Sequence, residues 1–260
     1  MPDIAKLIAS NIWPKAVADN LIVKTDEEKF FRALSIINTM INDSLDSKKF
    51  LDFGCGEGHC AITAAQKGAT TVGYDHAAHD WTTLGKMPNN CSFTTDVEFI
   101  VENGPYDVVL AYDVIDHIVK IDKCQEALKL IKSVIHDHST VYVRCHPLTS
   151  RHANHVYETF NKAYAHLFIN DDELIKMGHD PMPVANISRP LATYEALFKE
   201  AGFKIEDIDI VKTPVEDFFF DTDISELIRK RLSNSAFDAA ENWQRHVLPM
   251  QFIDYRLSII

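Results

Sequence analysis

The chain predicts an α/β fold, a doubly wound and mostly parallel sheet, on three observations. From Lys49 onward, short apolar runs alternate with helical stretches, and strands that alternate with helices pair in parallel through right-handed crossovers. The first of those runs, "KFLDF", breaks directly into "GCGEG", a turn of the kind that lets a backbone approach a ligand closely after a buried strand. The last segment, "QFIDYRLSII", alternates Ile253, Tyr255, Leu257 and Ile259 with polar neighbours, the period of a half-buried final strand.

Taken in order, residues 3–46 read as helical. "TDEEKFFRALSIINTMIND" begins with a Thr25 cap and acids in its first turn, then sets Phe30, Leu34, Ile37 and Ile41 on one stripe. The runs "KFLDF", "TTVGY", "CSFT", "YDVVLA" and "TVYVRC" follow as strands, most of them separated by a candidate helix. More than forty residues then precede the next helix signal, "PLATYEALFKEAGF", too many for a plain connection. They are an insertion at about 148–189, expected to act as a lid or substrate wall. Within it, "HVYETFNKAYAHLF" places Val156, Phe160, Ala163 and Leu167 at helical spacing, which marks its aromatic residues as packing. After the strand "FKIEDIDIV", a second, helical insertion spans about 213–249. The predicted organisation is an N-terminal helical extension over 1–46 and one domain over 47–260 with two insertions.

Composition narrows the partners. A formal net charge of −12 argues against a broad basic face for long nucleic acid, because phosphate binding needs many Lys and Arg. The N-terminus, "MPDIAKLIASNIWPKAVADN", lacks the basic start and unbroken apolar core of a signal peptide, and no run approaches the roughly 20 apolar residues of a spanning helix. A cytoplasmic protein with no membrane partner is expected. Five cysteines without a CxxC pair signal neither a disulfide framework nor a thiolate zinc site.

The glycine turn reads Asp52-Phe53-Gly54-Cys55-Gly56-Glu57-Gly58. A dinucleotide fingerprint, GxGxxG, would put its third glycine where this chain has His59, so a nicotinamide-dependent reductase is disfavoured. With Asp52 included, the stretch resembles motif I of the class I S-adenosylmethionine-dependent methyltransferases. The resemblance extends to Asp75 at the end of the second strand, to Asp96-Val97 after the third, and to "YDVVLAYDVIDHI", where Asp116 replaces the family's usual Glu. It implies a Rossmann-like, seven-stranded sheet with an antiparallel last strand, and S-adenosyl-L-methionine as cofactor. It also implies cofactor-binding roles for Asp52, Gly54, Gly56, Gly58, Asp75, His76, Asp96, Val97 and Tyr112. Asp96 is placed equally well to cap the helix "VEFIVEN".

Methyl transfer from a sulfonium is an in-line displacement, helped by alignment and a deprotonated acceptor. The acceptor meets the methyl at the ends of strands four and five, which singles out Asp113, His117 and His146 as catalytic candidates. Arg151, His152 and His155 become substrate-binding candidates at the start of the insertion. If a helix begins near Asp113, residues 113, 116 and 117 share one face. A metal-binding version of this run resembles the small-RNA 3′-terminal 2′-O-methyltransferases, but the metal-free version of small-molecule enzymes is favoured and no metal ligand is assigned. Arg144, Arg151 and Lys162 suggest that the insertion holds an anion. The expected activity is methyl transfer to a small molecule or compact terminal group; a non-catalytic S-adenosylmethionine-binding module is the alternative outside enzymes.

Overall fold

The structure is a computed structural model that describes residues 4–9, 13, 15–17, 23–85, 87–148, 150–153, 156–180, 188–212 and 250–260. All seven expected runs are strands of one sheet: Lys49–Phe53 (β1), Thr70–Tyr74 (β2), Cys91–Thr94 (β3), Tyr106–Tyr112 (β4), Ile135–Cys145 (β5), Phe203–Lys212 (β6) and Met250–Ile259 (β7). Their order is β3-β2-β1-β4-β5-β7-β6. The first five pair in parallel, and β7 enters antiparallel between β5 and β6. From β1 the chain winds outward to β2 and β3, then returns to lay β4 on the other side of β1. That reversal leaves a crevice at the carboxyl ends of β1 and β4, the place where open α/β sheets bind ligands.

Alternation along the strands fills both faces. Phe50, Val108, Leu110 and Tyr142 join one apolar cluster, whereas their neighbours Leu51, Val109, Val141 and Val143 join the opposite one. Each of these side chains is at most 2% exposed, worth about 1.5–3 kcal/mol for a large apolar group. The second cluster is closed by Ile121–Ser133 (α5), through Leu128 and Ile131, and by Leu191–Glu200 (α8), through Tyr194, Leu197 and Phe198. Two further helices alternate with the strands: His59–Gln66 (α3), after the glycine turn, and Val97–Asn103 (α4).

The N-terminal region departs from a continuous helical preface. Among its described residues, helix is limited to Ile4–Ala9 (α1) and Asp26–Met40 (α2). Thr25 caps α2 in a complete capping box, its hydroxyl accepting from Glu28 N while the Glu28 carboxylate accepts from Thr25 N. The buried face of α2 is Ala33, Ile36, Ile37 and Met40; Leu34 lies 40% exposed and Phe31 76%. Of the expected stripe, Ile37 and Ile41 are buried against the sheet and Phe30 packs on His59, whereas Leu34 is turned outward.

The first insertion also corrects its expectation. Instead of a helix through Leu167, it forms Val156–Thr159 (α6), a 3-10 turn at Ala165–Leu167 and, after Phe168, the short helix Asp171–Lys176 (α7). The break follows from competing hydrogen bonds: Tyr164 is left-handed at φ 60° and donates its N–H to Arg151 O, while Asn161 exchanges two bonds with the Val17 backbone. The packing reading holds, since Val156 and Ala163 are fully buried around Trp13 with Phe160 and Leu167 against them. Trp13 Nε1 donates to Ala163 O at 2.8 Å. The N-terminal segment and the insertion therefore fold against each other. The expected helix in 213–249 lies outside the described residues. No described helix is long and apolar enough to cross a membrane.

Candidate active site

The glycine turn is shaped by what surrounds it. Gly54, Gly56 and Gly58 have φ of 77°, 50° and 91°, in or near the left-handed region that favours glycine. A Cβ at Gly54 would run into Val114, and one at Gly58 would stand 2.6 Å from the Phe93 ring. At Gly56 a Cβ would meet nothing within 4 Å. The loop thus packs on two sides and stays open at its middle. Beneath it, Asp52 is 2% exposed and its Oδ2 is buried without a hydrogen-bond partner. Burial pushes its carboxyl up to about 7, a penalty that a nearby cation would relieve.

Asp75, just past β2, ties this turn to its neighbour. Its Oδ2 accepts from Gly56 N at 2.8 Å and its Oδ1 from Ala77 N at 3.0 Å, leaving each oxygen a second lone pair. His76 Nδ1 stands 3.1 Å from Oδ1 on an exposed ring. Trp81 Nε1 donates to Gly56 O at 2.8 Å, and its indole stacks on Phe93 with centroids 5.0 Å apart. Asp96 is the N-cap of α4, accepting from Glu98 N at 2.9 Å, and Val97 beside it is 39% exposed. The orphaned Asp52 oxygen, the open Gly56 face and the second lone pairs of Asp75 fit a cationic nucleoside.

A second group meets at the ends of β4 and β5. The expected helix at Asp113 is a turn: Asp113 is left-handed at φ 54°, its N–H donates to Arg144 O, and α5 begins only at Ile121. The turn nevertheless brings its acids together. Asp116 is 4% exposed, and its Oδ2 accepts from both the backbone N and Nδ1 of His146, each at 2.9 Å. His117 Nδ1 lies 3.3 Å from the other oxygen, and Asp113 Oδ1 lies 3.4 Å from His146 Nδ1. Burial opposes the charge of Asp116, but the bonds from His117 and His146 outweigh it and hold the carboxyl well below the usual range. Burial likewise opposes a charged His146, yet Asp113 and Asp116 raise it above the ordinary 6.5. Asp113, with less compensation for its burial, is raised. Asp113, Asp116 and His146 offer atoms within 4.8 Å of one another, and Asp113 Oδ1 is buried there without a hydrogen-bond partner.

The surrounding wall is aromatic and cationic. Tyr112, the last residue of β4, lies between the guanidiniums of Arg32 and Arg144, 5.5 and 5.1 Å from its ring centroid. Phe252 from β7 packs edge-on against His146 and His152, and His152 packs on Tyr157. His152 Nε2 faces His146 Nε2 at 3.3 Å. From α2, Arg32 also reaches Asp113 at 3.8 Å, and Lys29 pairs with Glu57 of the glycine turn at 2.5 Å.

A family model described as a methyltransferase domain matches residues 26–208. The chain belongs to the class I S-adenosylmethionine-dependent methyltransferases. No curated protein matches it. Among solved structures, magnesium protoporphyrin IX methyltransferase from Synechocystis PCC 6803, with bound SAH, is similar with a TM-score of 0.52 and 13% identity, covering 99% of this chain and 95% of that one. A SAM-dependent methyltransferase from Archaeoglobus fulgidus has a TM-score of 0.50 and 16% identity, with coverage of 90% and 94%. The plantazolicin methyltransferase, solved with a triazolic desmethylPZN analog and SAH, has a TM-score of 0.51 and 13% identity, with coverage of 90% and 86%. At these identities the likeness is one of fold.

In this methyltransferase, Asp52, the three glycines, Asp75 and His76 line the ends of β1 and β2, while Tyr112, Asp113, His117 and His146 gather beyond β4 and β5 with His152. Other expected partners disperse. Arg144 is held in a bidentate pair by Asp254 of β7. Arg151 donates twice to Lys15 O, and Lys162 donates to Trp13 O. His155 lies outside the described residues. Sequence reasoning missed Trp81, Phe252 and, above all, Arg189. That arginine, 7% exposed, donates to the carbonyls of Ile115, Ile118 and Val119 and so fastens the turn that carries Asp116 and His117. A lone arginine at the end of an insertion carries no local pattern; only the polar "SR" before "PLATY" hinted at it.

Proposed function

We propose that the enzyme methylates a small molecule or a compact terminal group by in-line displacement, with its proton handled by the Asp116–His146 pair and its neighbours Asp113 and His117. The observation that carries this reading is the double clamp of Asp116 on His146, backbone and ring, at the strand ends beside the glycine turn. A carboxylate that fixes Nδ1–H keeps the far nitrogen available as a base and stabilises the imidazolium once it forms. S-adenosylmethionine, when bound, supplies an electrophilic methyl on a sulfonium whose departing sulfide is neutral. Gly54, Gly56 and Gly58 would give it close backbone approach, Asp52 the opposite charge, Asp75 and His76 the acceptors for its sugar, and Asp96, Val97 and Tyr112 the remaining contacts.

A compact acceptor is supported by the insertion, which sets His152 against His146 at the end of β5 and packs Val156, Ala163 and Phe168 around Trp13. The net charge of −12 weighs against a long polyanion. By their names, two enzymes similar in fold act on magnesium protoporphyrin IX and on plantazolicin. Of the three insertion candidates, His152, which packs on His146 at the end of β5, is proposed to face the acceptor.

The test is release of S-adenosylhomocysteine against a panel of small O–H and N–H acceptors and a short RNA with free terminal hydroxyls, each with and without chelator. Turnover of a small acceptor that survives chelation is expected. Turnover of the RNA alone, abolished by chelator, would overturn the reading in favour of a metal-dependent terminal methyltransferase. Donor binding without turnover of any acceptor would favour a binding module.

A further inference from the structure

We propose that His152 is the group that takes the acceptor's proton, passing its own Nε2 proton to His146 as it does so. This deepens the functional reading above and rests on it. Asp116 sets the tautomer of the inner ring. An ionised carboxylate only accepts hydrogen bonds, so the His146 Nδ1 at 2.9 Å from its Oδ2 carries hydrogen in every protonation state. The nitrogen of His146 that can gain or lose a proton is therefore Nε2, and it faces Nε2 of His152 at 3.3 Å. One proton fits between two facing ring nitrogens, which gives the pair two arrangements.

With His146 neutral, the shared proton sits on His152 Nε2, and the lone pair of His152 is on Nδ1. With His146 cationic, the shared proton sits on His146 Nε2, and His152 carries its hydrogen on Nδ1. Deprotonating an acceptor converts the first arrangement into the second. The acceptor's X–H bond breaks and Nδ1–H forms on His152; the Nε2–H bond of His152 breaks and Nε2–H forms on His146. The acceptor's electron pair forms the new bond to the methyl carbon, and the S–CH3 pair leaves with sulfur.

The two-ring arrangement answers a problem of charge. His146 Nε2 is covered by His152, so an acceptor meets the outer ring, and His152 is badly placed to be a cation. Burial lowers it to about 3, reinforced by His146, His166, Arg151 and Arg32, while Tyr157 and Phe252 pack on its edges. Transfer through the ring leaves the positive charge on His146 instead, against Asp116 and Asp113, which outweigh the opposing His117. Among the described residues, His152 Nδ1 has no hydrogen-bond partner, as the accepting end of such a relay requires.

The experiment is a nitrogen-15 NMR titration of histidine-labelled, ligand-free protein, with His146→Gln and His152→Gln to assign the two rings. The relay predicts that His152 changes tautomer, from Nδ1–H to Nε2–H as pH rises, at the same midpoint as the deprotonation of His146, without itself becoming charged. A His152 that keeps one tautomer through the His146 transition, or that becomes cationic there, would overturn the proposal. With an acceptor from the panel, His152→Gln should lower kcat about 100-fold, the low end for a positioned base, while S-adenosylhomocysteine affinity stays within about twofold. A kcat within about threefold of the wild type would also overturn it. If no acceptor reacts, the functional reading fails, and the tautomer titration still decides the relay.

Discussion

Replacing Asp52 by asparagine should make the ligand-free protein more stable and a poorer binder of its methyl donor. Asp52 is 2% exposed, its Oδ2 is unpartnered, and burial raises it from 3.8 to about 7. An acid whose folded value is raised favours folding in its protonated form, so its native state loses stability as pH climbs above 3.8 and stops losing it near 7. At about 1.36 kcal/mol per pH unit, that interval of about three units amounts to about 4 kcal/mol. The neutral amide of Asp52→Asn mimics the protonated acid at every pH. The variant's advantage over the wild type should be absent near pH 3.5, grow through pH 5 and 6, and level off at about 4 kcal/mol above pH 7. Urea unfolding followed by tryptophan fluorescence at four pH values measures this directly, and calorimetry with S-adenosylhomocysteine and S-adenosylmethionine measures the loss of affinity. A pH-independent stability difference would refute the assignment of a burial penalty to Asp52. Unchanged affinity for the sulfonium form would refute its role toward the donor's charge.

Two further substitutions probe the two halves of the site. Gly56→Arg places a side chain where a Cβ meets no protein atom at φ 50°; it should cost about 1–2 kcal/mol of backbone strain and weaken donor binding at least about 100-fold by calorimetry, and an unchanged Kd would remove Gly56 from the donor site. Arg189→Gln removes three bonds to the carbonyls of 115, 118 and 119; at about 1 kcal/mol or more for each stranded carbonyl, it should lower stability by about 3 kcal/mol and Tm by roughly 6–12 °C, and a melting curve like the wild type's would refute its fastening role.

The strands were legible because their chemistry is local. "KFLDF" and "YDVVLA" are apolar on both faces, as strands covered by helices on both sides must be, and Thr25 with Glu28 spells a helix start in four residues. The places of Asp52 near the end of β1, of the glycines in the turn after it and of Asp75 just past β2 were likewise readable, since each is set by the adjoining apolar run. What escaped was set by distant partners. "DVIDHI" has helical spacing, but Arg189, 70 or more residues away, takes the carbonyls of Ile115, Ile118 and the following Val119, and Asp113 is left-handed, so the chain turns there instead. Val156 to Leu167 also has helical spacing, yet Asn161 bonds to Val17 and Tyr164 to Arg151 in place of a helical ladder. The meeting of His146 with His152 needed both corrections, because the turn positions the Asp116 that fixes His146 and the broken insertion positions His152.

The most direct test of the central claim compares His146→Ala with the wild type in donor affinity and in turnover of a small acceptor across pH. His146 acts as neutral base with a value above 6.5, so wild-type kcat/KM should fall as pH drops through that value and stay high above it. In the variant, S-adenosylhomocysteine should bind within about threefold of normal, while kcat falls about 100-fold and that acid limb disappears. A variant that keeps both its turnover and its acid limb would contradict the account.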